Sequence, residues 1–385
     1  MMSLIRKTLT LAFTFSLLIT LIISYLLDIE LLYSVYEYRE ERTIINLSKE
    51  RVKLSEDLIR IILPPDIKDW QKLDNYTIYI NERKVQVPTK LNNDDNKVIE
   101  LNEYKVLKPG QKINITYIFY IKVVANLLSL PIRVKSLVRK GKGGTIADIP
   151  MNLREYCVPL NDWDWNTDDK WSVIGEIIWN ISKSENVADR VISAVKWIKE
   201  HIAYAETPTV LSPLETIKKK AGDCADQAAL ITTLLRALGI PSYVAIAMYY
   251  EPNTKNPQEG DRITVHEEGF LLHAFAMAFI PYIGWVPIDL TSTAASVKEP
   301  EDYINKAAIV MTDRIIVTAL VKVSDPNEYL IFTVPKGINV KMKCSLQQVY
   351  HPLQGLLEIC VIFVIVFSCI MFLLLIISKL EKTSF

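Results

Sequence analysis

The sequence predicts an α+β protein whose folded part lies between two transmembrane helices. Two apolar runs, residues 8–27 and 359–378, lie near the ends of the 385-residue chain. Strand-forming residues dominate from about residue 30 to residue 140, and helical spacing of apolar residues begins only beyond that region. We therefore expect a β-sandwich first, a mixed domain of helices and strands next, and a β-rich segment last.

Each apolar run spans about 20 residues without a charge, which is enough to cross a bilayer as a helix. Arg6 and Lys7 precede the first run and Lys379 follows the second, so the positive-inside rule places both termini in the cytoplasm. The first run is longer than the apolar core of a signal peptide, which favours an uncleaved anchor. We expect a two-pass cell-membrane protein with an extracytoplasmic middle. Its predicted membrane parts are tail 1–7, helix 8–27, helix 357–378 and tail 379–385.

Residues 30–140 are typical of strands. Four stretches, TIINL, YTIYI, KVQV and KINITYIFYIKVVAN, are rich in Ile, Val, Thr and Tyr. Turn-forming residues separate them, with Pro-Pro at 64–65, Asn-Asn-Asp-Asp at 92–95 and Pro-Gly at 109–110. This pattern predicts an extracytoplasmic β-sandwich. The glycine cluster KGKGG at 140–144 is the best candidate for the linker that follows.

A mixed domain is predicted over residues 145–305. Apolar residues recur at helical spacing from Asn186 to His201, and a second helix from about Cys224 ends at Gly239. Three strand-type stretches follow, SYVAIAMYY, GFLLHAFAMAFI and WVPIDL. From Ala307 onward, alternation such as RIIVTALVKV continues the β pattern, so we expect a β-rich segment over 306–350.

Composition limits the class of partner. Basic and acidic residues both number 44, so the formal net charge is zero and nothing indicates nucleic acid. No pair of histidines or cysteines has the spacing of metal ligands, and we expect no metal and no cofactor. The expected partners are a protein or peptide substrate and the lipid bilayer.

Three of the five cysteines lie between the apolar runs: Cys157, Cys224 and Cys344. If Cys224 is a nucleophile, the other two are the only outer pair, and we expect a disulfide between them. Glycosylation of an exported segment is also expected, because the chain has Asn-x-Ser/Thr triplets. These start at Asn46, Asn75, Asn114 and Asn180.

The stretch AGDCADQAALITTLLRALGIP places Cys224 at the start of an apolar helix. First-turn backbone N–H groups and the helix dipole favour a thiolate there. His273 lies inside an apolar strand, where an imidazole needs polar partners, and Asp289 lies sixteen residues later, after the turn PYIG. A three-residue hairpin loop or a bulge would put His273 and Asp289 on one face, whereas a two-residue loop would not.

Each of these residues has a structural alternative. A single cysteine at a helix start, a histidine in a strand and an aspartate before a turn are more often structural than catalytic. In the order Cys, His, Asp, each in a suitable local context, they favour a triad of nucleophile, base and orienting carboxylate. For the aromatic residues Trp197, Tyr204 and Trp285, core packing is favoured over contact with substrate.

The stretch GDCADQAALITTLLRALGIPSYVAI, followed by HAFAMAFIPYIGWVPIDLT, resembles the transglutaminase-like superfamily, which has a papain-like fold. The resemblance covers about residues 170–295. It implies that Cys224 is the nucleophile, His273 the base and acid, and Asp289 the group that orients the imidazole. Phe275 departs from the family's usual tryptophan, and Met277 departs from a common acidic residue.

The sequence thus predicts a membrane-anchored cysteine enzyme that acts on amide or peptide bonds through a thioester, with hydrolysis or acyl transfer as the outcome. The alternative is a non-catalytic envelope protein that binds or acts as a scaffold and retains the fold. The backbone N–H of Cys224 is the expected oxyanion donor, and the sequence does not identify a second one.

Overall fold

The computed structural model describes residues 33–68, 70–124, 138, 140–159, 168–291, 299–350 and 361–372, with residues 13, 14 and 18. The predicted cytoplasmic tails and most of the apolar run 8–27 lie outside the described residues. No helix within the described ranges is long and apolar enough to cross a membrane.

Strands dominate residues 33–124, and helices and strands are mixed beyond that range. The α-helices are α1 Glu56–Ile59, α2 Asp168–Ile181, α3 Val187–His201, α4 Pro213–Lys219, α5 Cys224–Ala237, α6 Asp302–Arg314, α7 Asn327–Leu330 and α8 361–372. Short 3₁₀ turns cover Asn102–Tyr104, Ile146–Asp148 and Met151–Cys157. The strands are β1 Tyr33–Asn46, β2 Val52–Lys53, β3 Arg60–Ile62, β4 Gln71–Ile80, β5 Arg83–Val85, β6 Lys90–Leu91, β7 Lys97–Glu100, β8 Val106–Leu107, β9 Lys112–Val124, β10 Ala203–Tyr204, β11 Ala221–Gly222, β12 Ser242–Glu259, β13 Ile263–Ile280, β14 Gly284–Ile288, β15 Ile315–Val321 and β16 Ile338–Tyr350.

A curled sheet of nine strands organises the fold. Its order is β15-β12-β13-β16-β1-β9-β4-β5, with β14 paired to β13. Neighbouring strands are antiparallel except for β13 and β16, which are parallel. The side chain of Gln71, at the start of β4, bonds both the N–H and the C=O of Val317 in β15, at 2.8 and 2.9 Å. The two ends of the sheet therefore meet near Gln71.

Two apolar cores lie on the sheet. The larger core joins β1, β4, β9 and β16 to Ala245 and Phe275 of the later strands, and Trp70 packs against Phe275 at 6.2 Å between ring centroids. The second core lies between β13 and the helices α2, α3 and α5. Small residues allow α5 to approach the sheet closely, with Ala225 and Ala228 in one buried cluster with Ala274 of β13.

The predicted β-sandwich over 30–140 is not a separate sheet. β1 pairs with β16 over nearly its whole length, so strands from the start and the end of the described chain are neighbours. Because β16 pairs in turn with β13, these early strands belong to the same sheet as His273. The strand assignments were right, but β1 lies between β9 of the same region and β16 from the far end of the described chain.

Two local predictions were wrong. Residues 302–314, at the start of the predicted β-rich segment, form helix α6, whose Ile304 and Ala307 are buried. The expected linker 140–144 is packed against α3: a Cβ at Gly143 would meet the Cβ of Ala188 at 2.6 Å. Gly144 also accepts a hydrogen bond from the N–H of Val187, at the first residue of that helix.

The predicted Cys157–Cys344 disulfide was wrong, because both thiols are free in the structure. Cys344 lies in β16 between Glu40 and Glu267 on the adjacent strands, whereas Cys157 ends a 3₁₀ turn near Arg236. Asn46 is unsuited to glycosylation in the folded state. It is fully buried, and its amide nitrogen donates to the carbonyls of Glu50 and Leu107 at 2.7 and 2.9 Å.

Candidate active site

Cys224 is the first residue of α5, and the sequence Gly-Asp-Cys explains how the helix begins. Asp223 is the N-cap and accepts hydrogen bonds from the N–H groups of Ala225 and Asp226 at 2.9 and 3.1 Å. The Asp226 carboxylate in turn accepts a hydrogen bond from the N–H of Asp223 at 2.9 Å, which completes a capping box. A Cβ at Gly222 would lie 2.6 Å from the Cβ of Asp226, so only glycine permits this close turn. The thiol is held at a fixed helix terminus.

Asp226 is a buried partner of this turn that the sequence analysis did not single out. Its carboxylate accepts from the N–H of Leu211 at 2.6 Å and from the hydroxyl of Thr207 at 2.9 Å. Burial raises the pKa of Asp226, although these donors oppose the shift. The arrangement ties the segment before α4 to the first turn of α5, and a Ser/Thr/Asp-x-x-Asp/Glu pattern at 223–226 was the available sequence signal.

His273 and Asp289 come together through a three-residue hairpin loop. Ile280 of β13 pairs with Gly284 of β14, which leaves residues 281–283 as the loop and puts both side chains on one face. The Nε2 atom of His273 lies 2.9 Å from Oδ2 of Asp289. The other carboxylate oxygen accepts from the N–H of Thr291 at 3.0 Å. The hairpin therefore has the loop length that brings histidine and aspartate together.

The imidazole of His273 is buried between a carboxylate and a thiol. Burial lowers its pKa, but the charge of Asp289, the hydrogen bond to Asp289 and the adjacent Cys224 outweigh that effect and raise it from 6.5 to about 10. Since the bond to Asp289 uses Nε2, Nδ1 is the ring nitrogen left to exchange a proton with the thiol. The three predicted residues therefore lie together, and their catalytic roles stay a prediction.

Lys199 approaches the triad and was missed by sequence reasoning. The ammonium group of Lys199, on α3, donates to the carbonyl of Leu290 at 3.1 Å and lies near Asp289. Burial lowers the pKa of Lys199, while the charge of Asp289 opposes that shift. Lys199 was visible in the sequence only as one of several charges in an amphipathic helix.

Tyr204 differs from the two tryptophans considered with it. β10 pairs in parallel with β11 and sets Tyr204 opposite Gly222, two residues before Cys224. Its side chain is 58% exposed, and burial followed by the nearby Cys224 raises the pKa of its phenol. Trp285 instead packs against Tyr243 at 4.8 Å between ring centroids. The preference for core packing was therefore wrong for Tyr204, which lies beside the thiol.

The first turn of α5 also limits the choice of oxyanion donor. The N–H groups of Ala225 and Asp226 bond to the Asp223 side chain, and the N–H of Gln227 bonds to the Asp223 carbonyl. Within the described part of the chain, the N–H of Cys224 has no acceptor. It is therefore the first-turn donor available to a negative oxygen formed beside the thiol.

Comparison with known families agrees with this geometry. Residues 177–290 match the model of the transglutaminase-like superfamily. The chain contains a transglutaminase-like domain. The match begins in α2 and ends one residue after Asp289, so it includes Cys224 and His273. No curated protein sequence matches the chain.

Solved structures resemble the chain at low sequence identity. A proposed cysteine protease from Cytophaga hutchinsonii is 14% identical, with 83% of this chain and 93% of that chain covered and a TM-score of 0.50. The periplasmic domain of TgpA from Pseudomonas aeruginosa, bound to ethylmercury, is 12% identical over 72% of this chain and 93% of its own, with a TM-score of 0.31. Red sea bream transglutaminase is 12% identical, with coverages of 70% and 52% and a TM-score of 0.24.

The two departures from the family pattern lie in the larger apolar core, which the transglutaminase-like domain shares with the N-terminal strands. Phe275 is 1% exposed and its ring lies between His273 and Trp70, with centroid distances of 6.1 and 6.2 Å. Met277 is buried in the same apolar core, where an acidic side chain would have to lose its hydration. Trp70, contributed by the N-terminal strands, thus supplies an indole ring next to the position of Phe275.

Proposed function

We propose that the chain is a membrane-anchored, extracytoplasmic cysteine enzyme that acts on amide or peptide bonds. The observation that carries the proposal is the position of His273, hydrogen-bonded to Asp289 at 2.9 Å and next to the Cys224 thiol at the start of α5. The match to the transglutaminase-like family model and the structural likeness to a proposed cysteine protease support an enzyme.

In the proposed reaction, the Cys224 sulfur attacks the carbonyl carbon of an amide and forms a C–S bond. The negative oxygen faces the N–H of Cys224, and the imidazolium of His273 gives its proton to the departing amine as the C–N bond breaks. Water or an amine then attacks the thioester carbonyl, and His273 takes the incoming proton. The C–S bond breaks, which releases a carboxylic acid or a new amide and frees the Cys224 sulfur. We infer hydrolysis as the main outcome because water is always present outside the cell.

The arrangement of the two apolar runs is consistent with a pair of adjacent membrane anchors. β1 follows the first apolar run and β16 precedes the second, and these strands are antiparallel neighbours whose Tyr33 and Tyr350 rings stack at 4.9 Å. Both apolar runs are therefore joined to the same end of the sheet, where the strands β1 and β16 meet at Tyr33 and Tyr350. Phe13 also contacts Phe363 and Phe367 of α8, at 5.0 and 5.7 Å between centroids. Two adjacent spans with both termini in the cytoplasm fit these contacts and the flanking lysines and arginines.

The catalytic proposal can be tested by acylation of the full-length protein in detergent with p-nitrophenyl acetate. We expect one acetyl group on Cys224, found by peptide mass spectrometry, and none in Cys224→Ala. His273→Ala should reduce acylation at least 100-fold, since the Cys224 thiol then lacks the imidazole that accepts its proton. Cys157→Ala is the matched thiol control and should acylate like the wild type. Equal labelling of Cys157 and Cys224, or wild-type turnover by Cys224→Ala, would favour the scaffold alternative.

The topology requires a separate test. Reporters active only in the cytoplasm should be active when fused at Met1 and Phe385 and inactive when inserted beside Asp261, in the exposed turn between β12 and β13. Gly143 is a poor insertion site because it packs against α3. An active reporter at Asp261 in a folded protein would contradict an extracytoplasmic site.

A further inference from the structure

We propose that the substrate is a polypeptide segment held at the surface of the same membrane, because the candidate site lies at the end of the folded unit from which both apolar runs depart. This inference rests on the proposed function and on its membrane anchors. It adds a position, and hence a class of substrate, that neither the fold nor the triad specifies.

The register between β13 and β16 gives a first measure of where the site lies along the strand direction, relative to the apolar runs. These strands are parallel, and Glu268 pairs with Ser345 at the last position of their ladder. His273 and Tyr350 each lie five residues further on, which is about 16 Å at roughly 3.3 Å per residue. The imidazole is therefore level with Tyr350, the last residue of β16 before the second apolar run.

Following the sheet in the other direction, from β13 through β12 and β15 to β1, gives the same position along the strand direction. His273 pairs with Ala247, which pairs with Val317, and Val317 is bonded to the side chain of Gln71. Gln71 pairs with Val123, and Val123 pairs with Ser34. The row runs, in order, through His273, Ala247, Val317, Gln71, Val123 and Ser34. Since Ser34 is the second residue of β1, this path also ends beside the first apolar run.

Ring contacts across the curl agree with both paths. Tyr36 of β1 lies 5.1 Å from Tyr250 between ring centroids, and Tyr250 pairs with Phe270. From Phe270, β13 continues three residues to His273, about 10 Å towards the end of the sheet that holds Tyr33. Three sets of contacts thus place the site at this end, which we call the anchor rim.

The anchor rim cannot be far from the bilayer. Tyr33 lies six residues after the predicted helix 8–27, and Tyr350 lies seven residues before the predicted helix 357–378. Fully extended chains of these lengths reach about 20 and 25 Å. The opposite rim, where β1 ends at Asn46, is about 45 Å further along the 14-residue strand.

Exposed apolar side chains mark the anchor rim beside the imidazole. Leu271 and Leu272 directly precede His273 and are 45% and 47% exposed. Apolar side chains at this position suit a site that works next to a membrane or against an apolar peptide. A segment that reaches the thiol from the bilayer needs about six to eight extended residues, whereas a site at the opposite rim would need about twenty.

The experiment uses the full chain in phosphatidylcholine vesicles that also hold peptides attached to a dipalmitoyl lipid. Each peptide carries one p-nitrophenyl ester, placed 2, 8 or 24 residues from the lipid on a Gly-Ser spacer. We expect the 8-residue spacer to react at least tenfold faster than the 2-residue spacer. The 24-residue spacer should be slower than the 8-residue one, because effective concentration falls with linker length. In detergent, which removes the shared surface, the three rates should agree within about twofold.

Three results would overturn the inference. They are equal rates for the three spacers in vesicles, a maximum at 24 residues, and release of fatty acid from the phospholipid in place of reaction at the peptide. Soluble p-nitrophenyl acetate separates these outcomes from failure of the proposed function: Cys224-dependent acetylation without spacer dependence refutes only the position, whereas absence of acetylation refutes the catalysis.

A second measurement is independent of turnover. The photoreactive residue p-benzoylphenylalanine is placed at Leu271 or, as the control, at Leu47, which is 62% exposed and follows β1 at the opposite rim. In Cys224→Ala protein, Leu271 should crosslink to the lipid-anchored 8-residue peptide and Leu47 should not. Crosslinking from Leu47 at an equal or higher yield would contradict the assigned orientation.

Discussion

Replacing Asp289 by asparagine should cause a loss of amide turnover that grows steeply with pH. The Asp289 carboxylate is the main reason why the pKa of His273 is raised from 6.5 to about 10 in spite of burial, which lowers it. Without that charge, the pKa should return to 6.5 or fall below it. At pH 8.5 the wild-type ring is then almost fully protonated, whereas about 1% of the variant is, a difference of about 100-fold in imidazolium.

The assay must require that proton. An activated anilide such as p-nitroacetanilide needs a proton for its departing amine, whereas the phenolate released from p-nitrophenyl acetate does not. We expect the ratio of wild-type to Asp289→Asn turnover of the anilide to rise about 100-fold between pH 5.5 and pH 8.5. With the ester, the ratio should change less than fivefold. Asp261→Asn, in an exposed turn, controls for loss of one carboxylate.

The same substitution predicts a pH-dependent change in stability. A histidine whose pKa is raised by folding stabilises the folded state fully below its unfolded pKa, near 6.5, and this contribution is lost as the pH rises towards 10. The difference in Tm between wild type and Asp289→Asn should therefore be largest below pH 6.5 and nearly vanish at pH 10. A ratio of anilide turnover that is independent of pH, or a Tm difference that grows with pH, would refute the assigned role of the carboxylate.

Two buried guanidinium groups allow predictions about stability. Arg236 donates to the carbonyls of Val158, Ser242 and Lys322. Arg236→Lys should therefore lower the free energy of unfolding, measured by urea titration, by about 2–3 kcal/mol. A loss below about 0.5 kcal/mol would contradict this role. Arg42 is paired to Glu40 at 2.6 Å, and both side chains are buried. Glu40→Gln should therefore lower the free energy of unfolding by about 3–5 kcal/mol. The double change Glu40→Met with Arg42→Met should lower it by less than the single change. A double variant less stable than Glu40→Gln would be the contrary result.

Local features of the site could be predicted from sequence because neighbouring residues determine them. Asp223 before Cys224 and Gly239 after the last turn set the limits of α5, and the structure has Asp223 as N-cap and Gly239 at a φ of +75°. The hairpin was predicted up to its loop length. Sequence could not choose between a two-residue and a three-residue loop, and only the pairing of Ile280 with Gly284 decides it.

Long-range pairing explains most of what the sequence could not predict. β1 and β16 carry no signal that they are neighbours, since alternation along a strand reports which face is buried and not which strand lies beside it. The same holds for Lys199 and Tyr204, which reach the triad only because α3 and β10 pack against it. Helix α6 was missed because its apolar residues were read with the alternation of the following strand.

Because the sheet is continuous, the predicted domain 145–305 should not fold without the strands on either side. Ala245, Ala247 and Phe275 lie in one apolar core with Tyr36 and Trp70, which precede that segment. The segment would also lose Val317, and with it the Gln71 bonds that close the sheet. We expect residues 33–350 to unfold cooperatively in circular dichroism melts. Residues 145–305 alone should bind anilinonaphthalene sulfonate and show no cooperative transition. A cooperative melt and selective acylation of Cys224 in the 145–305 segment would show that the N-terminal strands serve only as a spacer. It would also remove the structural link between the proposed membrane anchors and the site.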